Sequence, residues 1–279
     1  MSYLTTQTAN STKIDRTSAV PDVDARRVAL DRALLEPRCG PALWELVDSG
    51  EADEIVPELP ALRLEQDPIH RHKDVLAHTI AVTAKTSPRL KVRLAALFHD
   101  IGKPATRKID DDGVTFRHHE AVGAKITRRR LKALGYEPEM VADVSELVRL
   151  SGRFKGYADG WSDSAVRRYA RDAGHLLGEL NELVRCDCTT RNRRKAVALQ
   201  EAMDELEERI ADLAEADRRA RERPAIDGQR VMELLDLPPG PLVGEALRHL
   251  LELRRAGDAV TPEAAEDALR AWWKAHDQG

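Results

Sequence analysis

The sequence predicts an all-α fold, and three observations carry that reading. Of 279 residues, 42% are apolar, 33% charged and only 4% aromatic, with abundant Ala, Leu, Glu and Arg, a mix that favours helix over sheet. Segment after segment places apolar residues three and four apart. Pro and Gly gather at the ends of those segments rather than inside them. The 44 Lys+Arg against 48 Asp+Glu give a formal charge of −4, which argues against a uniformly basic nucleic-acid binder and leaves room for a local basic face. No long uncharged apolar run suits a membrane span. The opening MSYLTTQTANSTKIDR lacks the apolar core of a secretory signal. Three cysteines, Cys39, Cys186 and Cys188, cannot build a disulfide framework, so the expected location is cytoplasmic.

Residues 1–20 are polar and read as a mobile tail. Val28, Leu30, Leu34 and Leu35 then mark a helix ended by Pro37 and Gly40, and Leu43, Trp44 and Val47 a short second one. Pro57 and Pro60 follow. A helix over 73–86 places Val75, His78 and Val82 on one line, with Leu76 and Ile80 beside it. The next, 89–101, carries Leu90, Leu94, Leu97, Phe98 and Ile101 and is ended by Gly102 and Pro104. Residues 106–117 read as a loop or small hairpin around Asp112-Gly113. Helices are expected over 118–134, 138–150, 162–173 and 176–188, with Ser162 as an N-cap. A long amphipathic helix bears Leu199, Met203, Leu206, Ile210 and Leu213. About three more helices fill the stretch from Ile226 to Trp273, broken at LPPGP and at Thr261-Pro262.

Among these residues, His99-Asp100 stands out at the end of an apolar helix, followed by Ile-Gly-Lys. A divalent ion needs several N or O donors converging on one point, and near a helix end two adjacent residues can both reach it. His78 lies among apolar neighbours one helix earlier. Asp187 continues the line Leu177, Leu180, Val184, so a carboxylate falls where a core residue belongs. A buried ionised carboxylate is costly unless paired or metal-bound. A hydrogen-bonded core histidine and an Asp paired with Arg remain alternatives at this point. Cys186 and Cys188, which flank Asp187, read as apolar filler.

The set His78 … His99-Asp100 … Asp187 resembles the metal-binding signature of the HD superfamily of metal-dependent phosphohydrolases. The segments PELPALRLEQDPIHRHKDVLAHT, AALFHDIGKPATR, VTFRHHEAVGAK, SDSAVRRYARDAG, VRCDCTTRN and IDGQRVMELLDLPPGPLVGEAL further resemble the body of bacterial, especially actinobacterial, CCA-adding tRNA nucleotidyltransferases. The resemblance implies a neck-like helical segment over 21–66, a helical HD bundle over 67–190, and a long helix with a C-terminal helical tail over 191–279. That family opens with a nucleotidyltransferase head, a Gly-Ser element on a sheet followed by two carboxylates one residue apart. Asp22-Val23-Asp24 has the carboxylate spacing without a preceding strand or Gly-Ser, and reads as first-turn helix acids. The expectation is that this chain alone does not add nucleotides, and that a separate head subunit is a partner.

By the same resemblance, His78, His99, Asp100 and Asp187 would hold one divalent ion: Mn, Ni, Co, Fe, Zn or Mg. Asp100 and Lys103 would be catalytic, the first orienting water and the second, with Arg107, balancing charge on a phosphoryl group. His119, in His118-His119-Glu120, would serve a second metal. Where relatives read LHLRFHGY this chain reads LSGRFKGY, so Ser151 and Lys155 replace imidazoles, a departure that weighs against two metals. Lys103, Arg107, Arg191 and Arg194 are the expected phosphate or RNA contacts. The implied activity is hydrolysis of a phosphomonoester or 2′,3′-cyclic phosphodiester on a nucleotide or RNA end. The alternative is a non-catalytic tRNA-binding module working in tRNA 3′-end processing.

Overall fold

Leu30 and Leu34, four residues apart, are both sealed from solvent on α1 (Val23–Leu35), and the same logic of spacing and burial repeats along the chain. The computed structural model describes residues 23–64, 74–110, 113–188 and 192–276. The tail expected over 1–20 and the phosphate contact expected at Arg191 lie outside them. Two further helices, α2 (Cys39–Asp48) and α3 (Glu51–Ile55), precede α4 (Val75–Lys85) and α5 (Leu90–Phe98). Then come α6 (Lys103–Thr106), an antiparallel pair β1 (Lys108–Asp110) and β2 (Gly113–Thr115), and α7 (His119–Ala133). The chain continues through α8 (Pro138–Leu150), a 3₁₀ segment Arg153–Asp159, α9 (Asp163–Ala173) and α10 (Leu177–Asp187). It ends with α11 (Arg193–Arg221), α12 (Gly228–Leu235), α13 (Pro241–Ala256) and α14 (Pro262–His276). The fold is all-α, and among the described residues a single small hairpin falls where the sequence predicts a loop or hairpin.

Two compact units result, the first ending at Leu206 and the second beginning at Glu207. In the first, α5 is the centre: α4, α8 and α10 pack around it, and α7 lies along α8. Val92 and every residue from Leu94 to Phe98 are fully enclosed, so whatever follows Phe98 is delivered into the interior. Arg93 is also buried, and its Nη1 donates to the carbonyls of Leu34 and Glu36, which the end of α1 leaves without helical partners. Further ties fasten the N-terminal helices to α7 and its turn. Arg27 donates to the Gly135 carbonyl, the Tyr136 hydroxyl to Asp31, and Arg130 makes two 2.9 Å bonds to Glu58. The second unit has its own core of Ile226, Val231, Val243, Ala246, Leu250, Ala259, Ala265 and Leu269.

Five short elements go beyond the sequence expectation: α3, α6 and the 3₁₀ segments Pro60–Leu62, Arg153–Asp159 and Gly174–Leu176. The reason at α6 is physical. Gly102 and Pro104 do end α5's run, but proline is tolerated in a first helical turn, so a new turn starts on the same residues.

Candidate metal centre

Burial decides where the four candidate donors point. On α4, Val75, Leu76, Ile80 and Val82 face the core, and His78 shares the edge of that face with 15% of its side chain exposed. Asp74 caps the helix by accepting from the Leu76 N–H at 3.0 Å, which fixes the turn that carries His78. His99 and Asp100 follow the enclosed end of α5 and are each 3% exposed. Asp187 is the last residue of α10. Its side chain, on the apolar line where a core residue was expected, is partly buried, with 41% exposed.

These side chains meet. His78 Nε2 is 3.0 Å from Asp187 Oδ1, His99 Nε2 is 3.5 Å from the same oxygen, and the two imidazole nitrogens are 3.4 Å apart. Asp100 Oδ2 lies 3.3 Å from His99 Nε2 and 3.6 Å from His78 Nε2. Donors about 2.1 Å from one ion stand about 3.0 Å apart at a right angle and about 3.4 Å apart at the tetrahedral angle. The observed spacings, 3.0–3.6 Å, run from that range to about 0.2 Å beyond it. His99 Nδ1 donates to the Ala96 carbonyl at 2.7 Å, which commits the proton to that nitrogen and leaves Nε2 as the one that can donate to a cation. His78, His99 and Asp187 form a triad with all donor atoms within 4.8 Å of one another, able to coordinate a divalent ion.

Electrostatics make the same demand. Burial works against a charged Asp100. The positive charge of His99, bonds from His119 and His99, and the Lys103 ammonium outweigh it and hold the carboxyl well below the usual range. Asp187 is likewise held far down, against burial, by bonds from His78 and His99. Burial opposes charge on His99 too, yet Asp100 and Asp187 together push it up to about 10. Two carboxylates thus share the protons of the facing imidazoles and the Lys103 ammonium, and a divalent ion bound at His99 Nε2 would take the place of the proton that joins His99 to Asp100 and Asp187.

Lys103 is 6% exposed, and its Nζ sits 2.7 Å from Asp100 Oδ2 and 5.6 Å from the centre of the Phe116 ring. His119 opens α7. Its Nδ1 bonds the Phe116 carbonyl at 2.8 Å, and its Nε2 faces Asp100 Oδ1 at 3.5 Å rather than joining the triad. Close backbone approach sets this pairing: a Cβ at Gly102 would fall 2.2 Å from the His119 carbonyl oxygen and 2.7 Å from the Gly123 nitrogen. His118, just before, adopts φ +62°, a left-handed conformation that costs energy for a residue with a side chain. Arg107 and Arg194 are exposed, and among the described residues no hydrogen bond or ion pair joins either to these side chains. Ser151 turns its hydroxyl back to the Val148 carbonyl, and Lys155 Nζ rests on Glu120 Oε1 at 3.0 Å. The sequence names Glu120 in His118-His119-Glu120 without giving it a task, and the structure places its carboxylate 3.5 Å from His119 Nδ1.

The pattern of the HD domain matches residues 75–221. The chain is 34% identical to the CC-adding tRNA nucleotidyltransferase of Thermus thermophilus over 265 residues, 91% of this chain and 58% of that protein. It is 31% identical to the A-adding tRNA nucleotidyltransferase of Deinococcus radiodurans over 261 residues, 88% of this chain and 57% of that one. The multifunctional CCA protein of Pseudomonas aeruginosa aligns over 136 residues at 32% identity, 46% of this chain and 31% of that protein. The chain thus spans somewhat under three-fifths of the length of the first two relatives.

Proposed function

The chain belongs to the HD-domain family, and from that premise we propose that it is a metal-dependent phosphohydrolase that cleaves a phosphomonoester or a 2′,3′-cyclic phosphodiester at the end of a nucleotide or RNA. The single observation that carries the proposal is the convergence of His78, His99 and Asp187 within 4.8 Å. His78, His99 and Asp187 would hold the ion, with Asp100 beside them. When bound, a divalent ion lowers the pKa of water and polarises a phosphoryl oxygen. Asp100, fixed from both sides by His119 and Lys103, orients the attacking water. Lys103 keeps two N–H donors beyond the one given to Asp100, and these balance charge developing on phosphorus-bound oxygen. In a monoester the P–O bond to the leaving alcohol breaks and the alcohol oxygen takes up a proton. In a cyclic diester the same attack opens the ring to a monoester.

The nucleic-acid side of this reading is supported by the tRNA nucleotidyltransferases among the relatives. We assign Arg107, Arg191 and Arg194 to phosphate contact on that basis, and a separate nucleotidyltransferase subunit as a partner. His119 is assigned to orienting Asp100 rather than to a second ion, because its Nε2 is directed at Asp100 Oδ1. No helix among the described residues is long and apolar enough to cross a membrane.

The test is phosphate release from nucleoside monophosphates, 3′-phosphorylated RNA and 2′,3′-cyclic nucleotides by protein loaded with Mn²⁺. Hydrolysis in wild type and loss of it in His99→Ala is the expected result. No turnover of any of these substrates by metal-loaded wild type would overturn the proposal. A non-catalytic tRNA-binding role would then be favoured by a salt-sensitive gel shift with tRNA that Asp187→Ala leaves intact.

A further inference from the structure

Glu120 and Lys155 form a charge pair that metal binding leaves without a task. Lys155 lies on the 3₁₀ segment Arg153–Asp159, its side chain is 66% exposed, and its Nζ sits 3.0 Å from Glu120 Oε1. Glu120 Oε2 is 3.5 Å from His119 Nδ1, and His119 Nε2 is 3.5 Å from Asp100 Oδ1. Two side chains therefore separate the ammonium from the metal centre. An ion pair this exposed contributes only about 0–1 kcal/mol to stability, so folding does not account for it.

The pair is nevertheless built with care. Glu120 lays its carboxylate against Gly152, where a Cβ would fall 2.1 Å from Oε1 and 2.8 Å from Cδ. Any side chain at residue 152 forces that carboxylate to move from its present place. Burial opposes the charge on Glu120, but its own backbone N–H, Lys155 and His119 keep the carboxyl below its ordinary range. An ammonium has three N–H donors, and Glu120 takes one. The residue before it, Phe154, keeps part of its ring accessible and stacks on the buried Tyr157, with ring centres 5.3 Å apart and planes 20° apart. Phe154 and Lys155 thus put an aromatic ring and a cation on one short segment, the two kinds of side chain that single-stranded RNA-binding surfaces use for bases and phosphates.

From this geometry we infer that Lys155 binds a second phosphate of the substrate, one nucleotide inward from the phosphoryl group that is hydrolysed, and that Glu120 holds Lys155 in readiness and yields it. The inference rests on the hydrolase reading and narrows its substrate class to a nucleotide chain with at least one internucleotide phosphate. Glu120 and that phosphate compete for one ammonium. Removing Lys155 must therefore weaken binding, whereas neutralising or displacing Glu120 must strengthen it. A pair with only a structural task behaves otherwise, because losing either partner breaks the same contact and shifts binding in one direction.

The experiment is an anisotropy titration of the full Mn²⁺-loaded chain with a 5′-fluorescein RNA trinucleotide ending in a free 3′-hydroxyl, at several salt concentrations. Lys155→Gln is expected to weaken binding about fivefold or more and to reduce the slope of log Kd against log salt by about 0.7, the value of one single-strand phosphate contact. Glu120→Gln and Gly152→Ala are each expected to tighten binding about two- to threefold with the slope unchanged. An unaltered slope in Lys155→Gln, shifts of the same sign in Lys155→Gln and Glu120→Gln, or no binding by wild type overturns the inference. Phosphate release by wild type, measured in parallel, judges the hydrolase reading separately. Turnover with no Lys155 effect sinks only this inference, and binding through Lys155 without turnover sinks only that reading.

Discussion

His99 shows how one buried side chain is prepared for a cation. Its Nδ1 proton is committed to Ala96, its Nε2 faces Asp187 and Asp100, and it is almost wholly enclosed. Lys103 is prepared in another way, for charge rather than coordination: its ammonium touches Asp100 Oδ2 and lies outside the nitrogen–nitrogen–oxygen triad. Lys103→Met should therefore leave one ion bound per chain while kcat falls about 10²–10³-fold, the usual loss for one preorganised charge partner at a reacting phosphoryl group. Metal analysis and phosphate release on the same sample check this, and loss of the metal along with activity would contradict it. In the sequence His78 and Asp187 stood out as polar residues on apolar helical lines and His99 as half of a His-Asp pair at a helix end, while their common task at one ion was implied by the resemblance to the HD superfamily. Arg107 and Arg194 show the opposite limit, since nothing in sequence spacing separates a solvated arginine from one that meets a phosphate.

Between secondary-structure elements, the approach of the turn after α5 to the start of α7 sets the second half of the site. Gly102 allows it, with the His119 carbonyl and the Gly123 nitrogen in the space a Cβ would take. Both obstacles are backbone, so neither can rotate away. Gly102→Ala should cost about 1–3 kcal/mol and lower Tm by several degrees in a thermal melt. An unchanged Tm would show that the contact is not close in solution. This contact was illegible beforehand: Gly102 reads as a helix terminator, and only packing reveals that it also seats α7. The same holds for Glu120 and Lys155, which are 35 residues apart and meet through the packing around α8.

Glu58 and Arg130 join the N-terminal helices to α7, and here pH gives the check. Burial opposes charge on Glu58, but bonds from Arg130 and from its own backbone N–H hold its carboxyl below the ordinary 4.5. The unfolded chain then binds the more protons, so stability rises with pH. The contribution is present above about pH 4.5 and is lost as pH falls through the folded-state value. Arg130→Gln should cost about 1–2 kcal/mol at pH 7, with the difference from wild type shrinking below pH 4.5 in denaturant titrations. A difference that stays constant with pH would remove the ionic explanation.

Across the chain, the all-helical architecture followed from apolar spacing, and α5 explains why the site lies where it does. A helix enclosed on all sides must end somewhere, and the polar pair His99-Asp100 is placed at that end, met by α4 from one side and the last residue of α10 from another. The division between Leu206 and Glu207 was not visible in sequence, because α11 runs through it without a break in helical pattern. If the triad does what its geometry requires, Mn²⁺ titration followed by electron paramagnetic resonance will find one tight site per wild-type chain and none in Asp187→Ala. Equal stoichiometry and affinity in the two proteins would contradict the assignment of that ion to His78, His99 and Asp187.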